Sequence, residues 1–204
     1  MRWTNSRPDH PIKIIGSKNH ACPLANKCSL GLDGTLAIGD VFRLRVAING
    51  FGRIGRSFYR ALLEDQESDI EVVVINSTSP PRTLAHLLKY DSTYGTLPLD
   101  VSWDPEGITS EGKKVPCLSE MNPAKIDWRG FKTDAVLQST GQLLQREKLE
   151  TFISKGARTV LISSPSEEAD VTLIPGCNLE TYNPNHHKII SMASCTTNCL
   201  APSL

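Results

Sequence analysis

A glycine-rich turn at residues 50–55 lies directly between an apolar segment and an amphipathic one, and it constrains the fold more than any other feature of the chain. The apolar segment 44–48 is typical of a buried strand, and residues 53–63 have the period of a helix. A β-branched segment follows at 70–75 and is apolar enough to be buried on both faces of a sheet. This order predicts a right-handed βαβ unit.

The turn has the spacing G-x-G-x-x-G. Gly50 allows a tight turn, Gly52 allows a pyrophosphate to approach the backbone, and Gly55 allows the helix to pack closely on the strand. The free N–H groups and the dipole at the helix start attract phosphate. Because the hexapeptide has the correct strand–turn–helix context, we interpret it as a dinucleotide-binding turn. The alternative is a tight turn without a ligand.

Strands and helices continue to alternate along the chain, which predicts an α/β fold with a doubly wound, Rossmann-type parallel sheet. Residues 95–130 are typical of short antiparallel strands and turns. We assign residues 43–190 to a dinucleotide-binding domain and residues 191–204 to the truncated start of a second, catalytic domain. The further predicted elements are helices at 81–89 and 146–155 and strands at 135–138, 159–162 and 188–191. The predicted apolar face of the first helix consists of Phe58, Ala61 and Leu62.

Composition excludes several classes of protein. Lys+Arg and Asp+Glu both number 22, so the balanced charge predicts neither a nucleic-acid surface nor a polybasic membrane patch. No apolar run approaches the roughly 18 residues of a membrane-spanning helix. The six cysteines have no regular spacing, which favours a reducing compartment and a cytoplasmic location. We expect no metal site.

Residues 1–42 differ from the rest of the chain and are expected to be a poorly ordered N-terminal extension. They lack the apolar stretch of a secretory signal. Their low acid content is compatible with a transit segment, which would place the protein in a plastid, although no Arg-rich amphipathic helix is evident. Upstream sequence wrongly included before the true start is the other interpretation.

The second strand is expected to bring an acidic residue to the adenosine ribose, but residues 76–79 contain no Asp or Glu. Ser77 and Arg82 could instead bind a 2′-phosphate by hydrogen bonding and charge neutralisation. The sequence therefore indicates that NADP is tolerated or preferred over NAD. A compatible alternative is that this Ser/Thr cluster caps the helix that begins near Pro81.

Cys195 follows a predicted strand and is expected to begin a helix, where the positive end of the helix dipole favours a reactive thiolate. Ser194, Thr196 and Thr197 supply nearby hydroxyl groups suited to an anionic substrate group. Cys199 lies one helical turn further on and is expected to be a packed structural thiol. Spacing alone leaves a catalytic Cys195 and a buried core cysteine equally open.

Several ordered segments resemble phosphorylating glyceraldehyde-3-phosphate dehydrogenase across residues 44–204. They are Ala47-Ile48-Asn49-Gly50-Phe51-Gly52-Arg53-Ile54-Gly55-Arg56, Leu88-Lys89-Tyr90-Asp91-Ser92-Thr93, Ser139-Thr140-Gly141, Ile162-Ser163-Ser164-Pro165-Ser166 and Ala193-Ser194-Cys195-Thr196-Thr197-Asn198-Cys199-Leu200-Ala201-Pro202. The resemblance implies NAD- or NADP-dependent oxidation of glyceraldehyde 3-phosphate through a cysteine thioester, with inorganic phosphate as second substrate, and a homotetramer.

The resemblance also implies roles for individual residues. Cys195 is the implied nucleophile, and its backbone N–H helps to stabilise the oxyanion. By matching position, Arg53 and Ile54 are implied to contact the cofactor pyrophosphate and Ser163 to lie near the nicotinamide. The full set of expected cofactor-binding residues is Gly50, Gly52, Arg53, Ile54, Gly55, Ser77, Arg82, Thr140, Gly141 and Ser163. Ser194 and Thr196 are implied to hold substrate or attacking phosphate.

The sequence departs from the family at the adenosine end, and none of its five histidines matches the catalytic histidine that lies beyond the cysteine in the family. Gln138 stands where many members have Glu, and Met121 where Arg is frequent. We therefore expect an incomplete enzyme that has the nucleophile without its base. Two alternatives stay open: a dehydrogenase for a four-carbon sugar phosphate of the erythrose-4-phosphate type, and a non-catalytic dinucleotide-binding module.

Overall fold

The computed structural model describes residues 43–65, 67–142 and 144–204, so the predicted N-terminal extension lies outside the described residues. The helices of the described part are α1 (Arg53–Glu64), α2 (Pro81–Lys89), α3 (Arg146–Ser154) and α4 (Cys195–Leu200). Its strands are β1 (Leu44–Asn49), β2 (Ile70–Asn76), β3 (Tyr90–Asp91), β4 (Gly95–Thr96), β5 (Val101–Asp104), β6 (Gly107–Ser110), β7 (Lys113–Leu118), β8 (Ala135–Gln138), β9 (Thr159–Ile162), β10 (Val171–Thr172) and β11 (Ile189–Ser191).

The main sheet is mixed but mostly parallel. Its strand order is β10-β11-β9-β8-β1-β2-β7-β6-β5, and every pairing from β10 to β7 is parallel. The chain passes from β1 to β2 on one side, and later places β8 on the other side of β1. The predicted α/β, Rossmann-type sheet is confirmed. Strands β5, β6 and β7 pair antiparallel, as expected for residues 95–130.

Both faces of the sheet are buried. Along β1, Val46 and Ile48 belong to one apolar cluster, which also includes buried residues of α1 and α2. The residue between them, Ala47, belongs to a second cluster, which includes Leu149 and Phe152 of α3. Alternate residues of a strand point to opposite faces, so helices cover both sides of this sheet. The arrangement explains why β1 and β2 are almost continuously apolar.

Some local predictions were wrong. Phe58 and Leu62 of α1 are partly buried against the core, but Ala61 is exposed. Tyr59 and Arg60 are the buried side chains instead. Arg60 is buried because its guanidinium donates hydrogen bonds to the backbone carbonyl groups of Leu88 and Tyr94. Helix α3 ends one residue earlier than predicted, and Gly156 adopts a positive φ of 114° just beyond it. Strand β10 was not predicted.

Asp170 connects α3 to β11. One carboxylate oxygen accepts hydrogen bonds from the N–H groups of Lys188 and Ile189 at 2.8 Å each, and the other pairs with Arg146 at 2.6 Å. Burial opposes ionisation of this carboxyl, but the hydrogen bonds from Ile189 and Arg146 outweigh it and hold its pKa below the ordinary value. Asp170 therefore stabilises the folded state mainly as a carboxylate.

We expect Asp170→Asn to lower the free energy of unfolding at neutral pH by about 1–3 kcal/mol, because an amide cannot satisfy both N–H groups and Arg146. The depressed pKa means that this stabilisation is complete above about pH 4 and is lost as the pH falls through the folded-state pKa. Denaturant unfolding at several pH values measures both effects. If the free energies of unfolding of the two proteins differ by the same amount at every pH down to the acid range, the assignment is contradicted.

Candidate functional site

The candidate site residues follow parallel strands at one edge of the sheet. Parallel strands place their carboxyl ends at the same edge, and the crevice where strand order reverses is the usual ligand position in such folds. Here that crevice lies between β1 and β8. The predicted residues follow the strands in this way: residues 50–55 after β1, Ser77 after β2, Thr140 and Gly141 after β8, Ser163 after β9, and Ser194, Cys195 and Thr196 after β11.

The three glycines of the turn occupy different environments. Gly50 has a φ of 100°, and a Cβ there would lie 2.7 Å from the Thr140 nitrogen. A Cβ on Gly55 would overlap the carbonyl oxygen of Gly50 and lie 3.1 Å from the Ile48 side chain. A Cβ on Gly52 would meet nothing within 4 Å. Gly50 and Gly55 therefore allow close packing, while Gly52 faces open space that a ligand can occupy.

Helix α1 begins with unpaired donors beside that open space. Gly52 is its N-cap and supplies no side-chain hydrogen bond. The first helical bond runs from Arg56 N–H to Gly52 O, which leaves the N–H groups of Arg53, Ile54 and Gly55 without partners inside the helix. Arg53 is exposed and Ile54 is 52% exposed. Free N–H groups at a helix start are suited to phosphate, so these residues fit a dinucleotide pyrophosphate.

Ser77 and Arg82 lie beyond the carboxyl end of β2. Ser77 is half-buried, and its N–H donates to Leu118 O at 2.9 Å. Arg82 is exposed in the first turn of α2, and its guanidinium forms no ion pair within the described ranges. The N-cap of α2 is Pro80, without a side-chain hydrogen bond. The alternative that the Ser/Thr cluster caps this helix is therefore wrong.

The loop after β8 reaches the glycine turn through a hydrogen bond, and the loop after β9 is bonded to the end of β8. Ser139 Oγ donates to Gly50 O at 2.7 Å, and Ser163 N–H donates to Gln138 O at 3.1 Å. Thr140 and Gly141 are exposed, and Gly141 has a φ of 71°. The structure thus places Thr140, Gly141 and Ser163 at the same edge as the turn.

Cys195 is the first residue of α4 and is exposed. It follows a tight connection in which Ala193 has a φ of 59°, uncommon for a residue other than glycine. Ser191 Oγ accepts from Ala193 N–H at 3.1 Å, and Asn198 Nδ2 donates to the carbonyl groups of Met192 and Ser194. These bonds hold the turn that presents the thiol.

The hydroxyl groups near Cys195 differ in their availability. Ser194 Oγ caps α4 by accepting from Thr197 N–H at 3.0 Å and also contacts Thr197 Oγ1 at 2.7 Å. Thr196 is exposed. Cys199 is exposed as well, so the prediction of a packed thiol was wrong. The α4 residues are therefore mostly accessible, and Ser194 has a structural role in addition to any contact with substrate.

The histidines of the described residues lie away from the thiol. His186 and His187 precede β11 and are near its amino end, whereas Cys195 follows its carboxyl end. His187 Nδ1 accepts from Asn183 N–H within its own turn, at 3.1 Å. His86 of α2 packs its ring against that of Tyr90, the first residue of β3. His10 and His20 lie outside the described ranges.

Sequence reasoning missed a set of buried amides. Asn49, Asn76 and Gln138 are the last residues of β1, β2 and β8, and all three are buried and joined by hydrogen bonds. The signal was present, since each of these three largely apolar strands ends in a carboxamide. These residues link the ends of β1 and β8, which border the crevice, to the end of the adjacent β2.

Within the described ranges, no group of three or more His, Cys, Asp or Glu side chains is arranged to hold a metal ion. No helix among the described residues is both long and apolar enough to cross a membrane.

Comparison with known proteins relates this geometry to a family. The family model described as "Glyceraldehyde 3-phosphate dehydrogenase, NAD binding domain" matches residues 44–146. The chain is 49% identical over 159 residues to glyceraldehyde-3-phosphate dehydrogenase of Streptomyces coelicolor, covering 78% of this chain and 47% of that protein.

Two further relatives show the same partial coverage. Glyceraldehyde-3-phosphate dehydrogenase 2 of a Nostoc species is 48% identical over 160 residues, covering 78% of this chain and 48% of the relative. The glyceraldehyde-3-phosphate dehydrogenase of Geobacillus stearothermophilus is 44% identical over 159 residues, covering 78% of this chain and 47% of the relative. The chain spans about half the length of the curated relatives it matches. By the family model and these identities, the chain belongs to the glyceraldehyde-3-phosphate dehydrogenase family and carries its NAD-binding domain.

Proposed function

We propose that this chain supplies the nicotinamide-cofactor site and the nucleophile for the phosphorylating oxidation of glyceraldehyde 3-phosphate. The observation that carries the proposal is the exposed Cys195 thiol at the edge of the sheet that also holds the glycine turn. Strand β11 is three strand spacings from β1, or about 14 Å, which suits an extended dinucleotide reaching from residues 50–55 toward the thiol. In this proposal, residues 191–204 begin a catalytic domain.

Cys195 acts as the covalent nucleophile in this proposal. Its thiolate attacks the aldehyde carbon and forms a hemithioacetal, and oxidation of that carbon with loss of a hydride and the hydroxyl proton gives a thioester. A bound nicotinamide supplies the hydride acceptor. Inorganic phosphate then attacks the thioester carbon, so that an acyl phosphate leaves and the thiolate is regenerated. In this proposal the N–H of Cys195, which begins α4, stabilises the oxyanion.

Selective alkylation tests the role of Cys195. Cys177 is also exposed and serves as an internal control within the same chain. We expect iodoacetamide to modify Cys195 at least about tenfold faster than Cys177, because in this proposal Cys195 alone is the nucleophile of the site. Glyceraldehyde 3-phosphate should protect Cys195 alone. Peptide mass spectrometry measures both rates, and Cys199→Ser removes the neighbouring thiol as a matched control.

Two results would count against this role: equal modification of Cys195 and Cys177, or modification of Cys195 that the aldehyde does not slow. Erythrose 4-phosphate in a parallel reaction separates the two sugar phosphates. If it protects Cys195 much better than glyceraldehyde 3-phosphate does, the four-carbon substrate replaces the three-carbon one.

The adenosine end of the site supports a preference for NADP. Arg82 is exposed and without an ion pair in the part of the chain that the structure describes, and the nearby Ser77 adds no negative charge. A guanidinium pairs well with a phosphate. The homotetramer implied by the resemblance is part of the same proposal, and the mass of the protein in solution tests it.

We expect Arg82→Ala to weaken NADP binding roughly tenfold and to leave NAD binding unchanged, because only NADP carries the 2′-phosphate. Isothermal titration of both nucleotides into both proteins measures this difference. Arg158, an exposed arginine near the amino end of β9, provides the matched control variant Arg158→Ala. NAD binding at least about tenfold tighter than NADP binding in the unmodified chain would exclude the preference.

A further inference from the structure

The buried amides at the ends of β1, β2 and β8 form one continuous chain of hydrogen bonds. Glu120 N–H donates to Asn76 Oδ1 at 2.9 Å, and Asn76 Nδ2 donates to Asn49 Oδ1 at 2.7 Å. Asn49 Nδ2 donates to Gln138 Oε1 at 2.6 Å, and Gln138 Nε2 donates to Gln142 O at 2.7 Å. Every carboxamide in this amide relay uses its oxygen as acceptor and its nitrogen as donor.

The direction of the relay is determined by its two ends. The N–H of Glu120 can only donate, so Asn76 must turn its oxygen toward it. The carbonyl of Gln142 can only accept, so Gln138 must turn its nitrogen toward it. The central Asn49 then has one consistent orientation. Hydrogen bonds that run head to tail polarise one another, which favours a single rigid arrangement of the relay.

The relay lies beneath the candidate cofactor site and connects its two sides. Asn76 directly precedes Ser77 on the adenosine side, and Asn49 directly precedes Gly50. Gln138 Nε2 also donates to Thr140 Oγ1 at 3.1 Å. The side chains of Asn49, Asn76 and Gln138 are each at most 5% exposed, so they offer a ligand almost no contact surface. Their effect must pass through the loops they hold.

We propose that Gln138 is a positioning residue for the nicotinamide cofactor. Through the amide relay, Gln138 holds the loops after β1, β2 and β8 in the conformation that binds the cofactor. Small displacements of binding groups weaken a site strongly, and buried supporting hydrogen bonds prevent them. The inference rests on the proposed placement of the cofactor against residues 50–55. Glu120 contributes only its backbone, since its carboxylate accepts from Asn122 N–H.

We expect Gln138→Met to raise the Kd for NAD and for NADP roughly tenfold, because Asn49 Nδ2 and Gln142 O then lose their buried partner. Calorimetric titration well below the melting temperature measures Kd for the folded protein. Phe152→Leu in α3 is the matched control, since it lowers stability from within a core cluster and removes no polar group of the relay. That variant should melt earlier and bind the nucleotides unchanged.

The conservative variant Gln138→Glu keeps an oxygen acceptor for Asn49, but its carboxylate has no donor for Gln142 O, so it should recover only part of the lost affinity. A double-mutant cycle with Asn76→Leu tests the relay as a unit. If the loss of one amide from the relay is enough to displace the loops, the double variant binds the nucleotides no more weakly than the weaker-binding single variant. Fold-changes that multiply, or a Kd for Gln138→Met equal to that of the unmodified chain, would overturn the inference. No nucleotide binding by the unmodified chain would overturn the cofactor placement together with it.

Discussion

Replacement of Gly55 by alanine is expected to lower the free energy of unfolding by about 3 kcal/mol or more. The new methyl group would overlap the carbonyl oxygen of Gly50 and lie 3.1 Å from Ile48 Cγ2 and 3.2 Å from Ser139 Oγ. The first of these is a backbone atom, which cannot rotate away as a flexible side chain can. Helix α1 must therefore move away from β1. Chemical denaturation of the two proteins measures the loss.

Gly52→Ala is the matched control for this substitution, because it adds the same methyl group three residues earlier. A Cβ at Gly52 meets no protein atom within 4 Å, and its φ of −74° is ordinary for alanine. We expect stability to change by less than about 1 kcal/mol. Nucleotide binding should weaken roughly tenfold or more, because the methyl group occupies the space where a pyrophosphate approaches. If Gly55→Ala and Gly52→Ala were equally stable, the packing role of Gly55 and the ligand-facing position of Gly52 would be contradicted.

Trp128→Ala is expected to cost about 3–5 kcal/mol of unfolding free energy. The Trp128 side chain is fully buried and its ring lies 5.7 Å from that of Phe152, centroid to centroid. This pair belongs to the core cluster that joins α3 to the sheet. Removal of the indole leaves a large cavity that the surrounding strands cannot close, and thermal unfolding measures its cost.

Trp128→Phe is a control that separates packing from hydrogen bonding. The indole N–H is buried and has no hydrogen-bond partner among the described residues. Removing an unpaired buried donor is favourable and offsets part of the free energy lost with the smaller ring. We therefore expect Trp128→Phe to lower the free energy of unfolding by about 1 kcal/mol, well below the loss for Trp128→Ala. A cost as large as that of Trp128→Ala would show that the indole N–H has a partner essential for stability.

The sequence predicted regular elements best where the local chemistry was unambiguous. The bounds of α2, β8 and β9 agree with the predicted ranges 81–89, 135–138 and 159–162. Pro81 suits the first position of a helix, and the short apolar runs are too brief for helices. The parallel sheet followed from the alternation of these elements with helices. These are local signals, and long-range contacts did not contradict them.

Features that depend on distant contacts were not predictable in the same way. Ala61 has the period of a buried residue, but Arg60 is buried because the carbonyl groups of Leu88 in α2 and of Tyr94 accept from it. Strand β10 is two residues long and exists only because β11 pairs with it. The amide relay joins Asn49 to a residue 89 positions away. Periodicity within one segment contains no information on such partners.

For the candidate site, the sequence predicted which residues gather at the sheet edge but not how each is held. The glycine roles followed from spacing; the close packing expected at Gly50 and Gly55 is observed, while the pyrophosphate contact of Gly52 stays a prediction. The helix-capping bond of Ser194 was not predicted, because a serine before a helix is compatible with both capping and substrate contact. The roles of Cys195 and Thr196 in chemistry stay predictions that alkylation and binding experiments address.

The contact between Gly50 and Thr140 has a consequence for the order in which the protein acquires its site during synthesis. A nascent chain that has just passed Gly55 contains the whole glycine motif but neither β8 nor the loop against which Gly50 packs. Pairing across some 90 residues is slow compared with the local formation of α1. Nucleotide affinity on the ribosome should therefore arise only after the segment around Thr140 has emerged, which makes cofactor capture a late event in folding.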